Sequence, residues 1–296
     1  MRGYALRAAG RAGAAAGPAT SVALLIAGCA LLGVAAAGAG GAVVAIVLAA
    51  VLVAAVFACC DRLALSAMLA RPVSEVEHPE LYRLVRELSK DGRLPVPRLY
   101  LSPAEQPNSF TVGRGPRSAS ICCTEGLLRV LDEAELRGVL GHELAHVSGH
   151  DLPGSSLSAG LATVITFPAT LARLARRGSP GTAGSDLGPF EHALMLVFGP
   201  VAAVIVRLAV SQEREYQADA AGALLTGDPV ALAGALRKID AGTAELALAP
   251  DGRRVSVGHL MIASPFRPEG VARLFRTHPP AGERVRRLEA LAGYRR

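Results

Sequence analysis

The chain has 296 residues, 51% of them hydrophobic and only 19% charged, with a formal net charge of +6. That is more apolar surface than an ordinary soluble domain of this length buries, which excludes a purely soluble globular class. The basic residues lack interleaved aromatics, so anionic lipid is the expected counterpart and nucleic acid is not.

Thr20 to Ala37 and Ala42 to Cys60 are uncharged runs of Ala, Val, Leu, Ile and Gly. Each approaches the ~20 residues that span a bilayer core. The Gly-rich joint "GAGG" at 38–41 predicts a tight turn between antiparallel helices. Arg2, Arg7 and Arg11 precede the first run, and Arg62 and Arg71 follow the second. By the positive-inside rule both flanks are cytoplasmic and the turn is outside. A cleaved signal peptide is the alternative, and "IAGC" at 26–29 resembles a lipoprotein processing box. Against both, the apolar run continues past Cys29 and a second run follows at once.

"SEVEHPELYRLVRELSKDG" places Leu81, Leu84, Val85 and Leu88 at helical spacing, with Gly92 marking the end. "VPRLYLSP" reads as a strand. "PNSFTVGRG" and "ASICCTEG" read as paired strands separated by a turn. Cys122 and Cys123 are adjacent in the second of these, so their side chains point to opposite faces. With Cys29, Cys59 and Cys60 in the apolar runs and no CxxC, the cysteines read as small core residues in a reducing compartment. "TEGLLRVL" is a short helix. Asp132 then opens another, with Glu135 as its capping-box partner.

That helix carries "GHELAHVSGHD" at 141–151. His142 and His146 lie four apart, one helical turn, so two imidazoles converge on one side and can share one Zn²⁺. Glu143 sits beside that face, within reach of a water there as general base. A catalytic zinc takes three protein ligands. His150 is a poor third, because it stands ~12 Å along the axis from His142. Leu152 occupies the position where the HExxHxxGxxH pattern needs a histidine. Two weaker apolar stretches follow, Ser158 to Leu174 and Ala193 to Leu208, around a Gly/Ser/Pro-rich segment. They predict a second hairpin, with buried core helices as the alternative. Arg173, Arg176 and Arg177 at its joint fit a crossing poorly. Then "SQEREYQADAAGA" offers Glu213 and Glu215, and only Glu215 has an acid four residues on, Asp219. Glu215 as ligand with Asp219 holding the far nitrogen of a ligand histidine makes chemical sense. A solvated charged helix end is the bland reading. Asp228-Pro229 caps the next helix.

Taken together, the paired apolar runs, "QPNSFTVG", "TEGLL", "HELAH", "REYQAD" and "THPPAGERVRRL" resemble the HtpX-like membrane zinc metallopeptidases, bacterial relatives of the CAAX prenyl proteases. The element pattern and the resemblance together predict an α+β fold: a membrane-anchored, mostly helical protein with a small mixed β-sheet, a gluzincin-type HExxH helix and about four transmembrane segments. It implies one zinc ion per subunit on His142, His146 and Glu215, with Glu143 as base. It makes Asn108, Ser109, Phe110 and Thr111 an edge strand that holds extended substrate by main-chain pairing. His278 becomes a candidate oxyanion donor, and Arg284 a buried structural ion-pair partner. Ser109 and Gly141, where the family prefers alanine, are expected not to touch the chemistry. The expected layout is a cytoplasmic N-terminus (1–19), a transmembrane hairpin (20–60), a first catalytic part (61–156), a second hydrophobic hairpin (157–208) and a second catalytic part (209–296). The expected protein is a multi-pass endopeptidase of the cytoplasmic membrane, its site facing the cytoplasm, cutting misfolded membrane proteins in quality control. A prenyl-protein processing protease and a membrane zinc-binding scaffold without turnover are the alternatives.

Overall fold

A computed structural model describes residues 16–149, 152–177, 188–267, 269–275 and 277–293. The expectations for Arg2, Arg7, Arg11, His150 and the 178–187 segment fall outside the described residues.

The first helix, α1 (Ala16–Ala67), is interrupted by non-helical backbone at Ala37 and Gly38. The two limbs fold back on each other. Gly33 and Gly41 meet so closely that a Cβ on Gly33 would stand 2.4 Å from Gly41 O. Val22 and Leu25 of one limb share a cluster with Val53 and Val56 of the other. The hairpin is thus present, and the small residues at 38–41 are what permit its turn. Its outer surface carries exposed Leu31, Leu32, Val43, Val47 and Leu48.

A four-stranded mixed sheet follows, in the order β1 (Arg71–Pro72), β2 (Arg98–Ser102), β4 (Ser120–Thr124), β3 (Ser109–Val112). β2 and β4 are parallel, and the other two pairs antiparallel. The period of two sends Cys123 into one core with Leu99 and Ile121, and Cys122 into another with Phe110 and Val112. One face of the sheet packs against α2 (Pro79–Gly92), whose Leu81, Leu84, Val85 and Leu88 are buried as their spacing predicts. The residue that turns left-handed to end α2 is Arg93 rather than Gly92.

The remaining helices are α3 (Glu125–Val130), α4 (Glu133–Ser148), α5 (Leu152–Ile165), α6 (Phe167–Arg177), α7 (Pro189–Ala209), α8 (Gln212–Thr226), α9 (Pro229–Glu245), α10 (Arg254–Val257) and α11 (Ala281–Gly293). The large core joins α2, the sheet, α4, α8, α9 and α11 through residues such as Leu140, Leu144, Leu236 and Leu288. Asp228 caps α9 by accepting from Ala231 N at 2.9 Å.

The expected count of about four transmembrane segments is not reproduced. Among the described residues, Ala19–Ala67 and Pro189–Leu208 are long and apolar enough to cross a membrane. α5 and α6 reach that length only when joined across a 52° bend.

Candidate metal centre

The site begins with the cap of α4. Asp132 Oδ1 accepts from Glu135 N at 2.9 Å, and Glu135 Oε2 accepts from Asp132 N at 3.0 Å. This reciprocal pair satisfies two of the orphan donors at the helix start. The helix it starts carries His142 and His146 one turn apart, with their Nε2 atoms 3.2 Å from each other.

α8 lies directly against α4. A Cβ on Gly141 would meet Thr226 Cγ2 at 2.8 Å, and a Cβ on Gly222 would meet His142 N at 2.6 Å. At Gly222 the clash would be with backbone, so glycine there is what lets the two helices approach this far. The approach brings Glu215 onto the imidazole pair. Its Oε1 is 3.7 Å from His146 Nε2, and its Oε2 is 3.9 Å from His142 Nε2. One donor atom from each of the three residues lies within 4.8 Å of the others.

These donors fit a divalent metal. Two ligands on a tetrahedral ion at ~2.0–2.1 Å stand ~3.3 Å apart, close to the separation of the two Nε2 atoms. Two imidazole lone pairs and a buried carboxylate facing one point call for a cation between them. Burial works against ionising Glu215, but the imidazoles of His278, His146 and His142 outweigh it and hold the carboxyl well below the usual range.

Asp219, one turn beyond Glu215, places Oδ1 2.9 Å from His142 Nδ1. A proton on Nδ1 leaves Nε2 free to bind metal. Arg284 grips the same carboxylate with two bonds of 2.7 Å, Nε to Oδ2 and Nη2 to Oδ1. Burial disfavours the Asp219 carboxylate, but Arg284 outweighs it and lowers the pKa. Arg284 is fully buried and also donates to Ile262 O. It is an ion-pair partner, as expected.

Glu143 is almost fully buried, and both its oxygens accept hydroxyl bonds from β3. Ser109 Oγ donates to Oε1 at 2.6 Å, and Thr111 Oγ1 donates to Oε2 at 2.5 Å. The expectation that Ser109 stays clear of the chemistry is therefore corrected. Residues two apart on a strand share a face, and here that face meets α4. The Ser-x-Thr spacing was visible in the sequence and its partner was not.

β3 is an edge strand, yet its outer edge is already engaged by the chain itself. Ile262 N donates to Ser109 O at 2.9 Å, and an isolated antiparallel bridge joins Phe110 to Met261. The Asn108 side chain donates to Ala263 O at 3.0 Å and accepts from Ala263 N at 3.4 Å. Phe110 points into the core. The docking edge expected over Asn108–Thr111 is therefore occupied by residues 261–263 at Asn108, Ser109 and Phe110.

His278 reaches the site but faces Glu215. Its Nδ1 is 3.8 Å from Glu215 Oε2, and its Nε2 is 3.2 Å from Gly258 O. At 3.8 Å the contact is electrostatic, too long for a hydrogen bond. The ring bears on the Glu215 carboxylate. His259, passed over in the sequence, is buried beside Ser155 O at 3.3 Å. Burial pushes its imidazole down to about 4. His146, Glu215, Thr111, His259 and Ser155 line a small cavity of about 40 Å³, room for a water or two.

The model of peptidase family M48 matches residues 75–292. A protease HtpX homologue of Kineococcus radiotolerans is 54% identical over 79% of this chain and 80% of its own length. Homologues of the same name from Paenarthrobacter aurescens and Bifidobacterium longum are 49% and 45% identical, over 79% and 78% of this chain and 79% and 76% of theirs. No solved structure gives a significant match. The chain belongs to peptidase family M48, as an HtpX-like metalloprotease.

Proposed function

We propose that the protein is a zinc-dependent endopeptidase anchored in the cytoplasmic membrane by its N-terminal hairpin, with His142, His146 and Glu215 as the ligands. The convergence of those three donors across a separation of 73 positions carries the reading (215 minus 142). Zinc bound there supplies Lewis-acid polarisation of a peptide carbonyl and an acidified water. Glu143 takes the proton of the attacking water and delivers it to the leaving amine. Ser109 and Thr111 fix the two carboxylate oxygens for that transfer. Asp219 holds the His142 tautomer, and Arg284 holds Asp219. His278 sets the Glu215 carboxylate.

The arginines that flank the hairpin in the sequence support a catalytic part on the cytoplasmic side. Substrates are unfolded polypeptides, membrane proteins among them, and the family suggests quality control. Cleavage of casein by wild type and by Glu143→Gln tests the reading. Loss of about 10²–10⁴ in rate with zinc retained supports it. Equal cleavage by both proteins, or none by either when zinc-loaded, would exclude Glu143 as the base.

A further inference from the structure

The hydrophobic stretch between the two halves of the metal site is not arranged as a crossing hairpin would be. Its turn end is flanked by Arg173 in α6 and Glu191 in the first turn of α7. Arg173 Nη1 lies 2.9 Å from Asp251 Oδ2 and 3.6 Å from Glu191 Oε1, and all three residues are buried. Asp251 accepts from the N-terminus of α10, and Val257 at the other end of that single turn packs in one cluster with Phe110 of β3. The turn end is thus tied to the strand that holds Glu143. A crossing hairpin would carry it to the far side of a ~30 Å hydrocarbon layer.

The same attachment continues along the helices. Thr163 Oγ1 donates to Ser256 Oγ at 2.8 Å, and Thr166 Oγ1 donates to Gly252 O at 2.6 Å. α5 has no exposed residue at all, so it presents no face to lipid. α6 and α7 are two-sided instead. On α6 the outer face is Phe167, Leu171 and Leu174, at i, i+4 and i+7. On α7 it is Phe190, Val197, Val201 and Val204, while Met195, Ala202 and Val206 are buried. On both helices the inner side is packed on the protein and the outer side is left for lipid. The outer faces continue an apolar surface that α1 already presents, since α7 packs beside α1 at Ile205 and Val56.

We propose that α6 and α7 form a wedge seated in the cytoplasmic leaflet, with their outer faces in the acyl chains and the helix ends that carry Arg173 and Glu191 held on the catalytic side, so that only the N-terminal hairpin crosses the bilayer. The proposal rests on the membrane-anchored reading above. Its consequence is local: α7 runs directly into Val210 and Ser211, which line the cavity at Glu215. The helix that carries Glu215 therefore follows directly on the element seated in lipid, and a polypeptide leaving the membrane meets the site at once.

The chain has no tryptophan, so single reporters can be placed on the outer face of α7. Phe190→Trp, Val197→Trp and Val204→Trp, each in the full chain in lipid vesicles, are quenched with lipids brominated at known depths. The wedge predicts quenching at every position by bromines near the headgroups, and at none by bromines near the chain ends. Deepest quenching at Val197→Trp with shallow ends shows a crossing helix and overturns the proposal. Absence of quenching at all three also overturns it. Carbonate-resistant membrane association and casein cleavage, measured on the same samples, report separately on the anchor and on the protease reading.

Discussion

Gly222 of α8 faces the backbone nitrogen of His142 so closely that a Cβ would stand 2.6 Å from it. The approach is backbone on backbone, so no side chain can swing away to relieve it. Gly222→Ala must push α8 off α4 and carry Glu215 away from the two imidazoles. The expected result is a loss of about 1–3 kcal/mol in stability together with weaker zinc binding. Thermal melting and zinc titration read the two effects. Unchanged values for both would show that the helices have slack the structure does not contain.

Ser109 and Thr111 each hold one oxygen of Glu143. Removing either donor leaves the base free to rotate while the metal ligands stay intact. Ser109→Ala and Thr111→Val should each lower kcat by about ten- to a hundredfold, with KM little changed and zinc content normal. A rise in KM at constant kcat would instead make these residues substrate contacts.

Arg284 and Asp219 form a buried pair of two bonds. Arg284→Met leaves an uncompensated carboxylate inside the protein and should cost about 3–5 kcal/mol. Asp219→Leu combined with Arg284→Met should regain much of that stability, since neither charge remains. It should not regain zinc affinity, because His142 Nδ1 has lost its partner. Recovery of both properties in the double variant would reduce Asp219 to a purely structural residue.

His259 gives a pH dependence of known sign. Burial holds its imidazole at about 4 against 6.5 in the unfolded chain. Between these values the unfolded state binds the extra proton, so stability rises with pH across the window. Acidification from pH 7 should therefore lose stability progressively between about 6.5 and 4, by about 3 kcal/mol at most. A cation bound nearby acts in the same direction. Denaturant melts of the protein and of His259→Gln, compared across this range, isolate the contribution, and identical pH profiles for the two would refute it.

Much of the architecture was legible because it rests on local signals. The helical spacing of Leu81, Leu84, Val85 and Leu88, the Asp132–Glu135 cap and the alternation at Cys122 and Cys123 are all set by neighbours in sequence. Glu215 and Asp219 stood out as a pair because they lie one helical turn apart, and the structure brings both to His142. What escaped depends on contacts far along the chain. Nothing near Ser109 announces that Ile262 will cover its strand edge, and nothing near Arg173 announces Asp251. A hydrophobic stretch reads alike whether its apolar face meets lipid on all sides or on one, so the number of membrane crossings could not be counted from hydropathy.

The proposed metal site is built by two segments, one on either side of the α5–α7 region. Zinc per chain, measured after exhaustive dialysis of wild type, Glu143→Gln and Glu215→Ala, tests it most directly. About one ion is expected in the first two proteins and almost none in the third. A Glu215→Ala protein that is folded and still holds a full equivalent of zinc would contradict it.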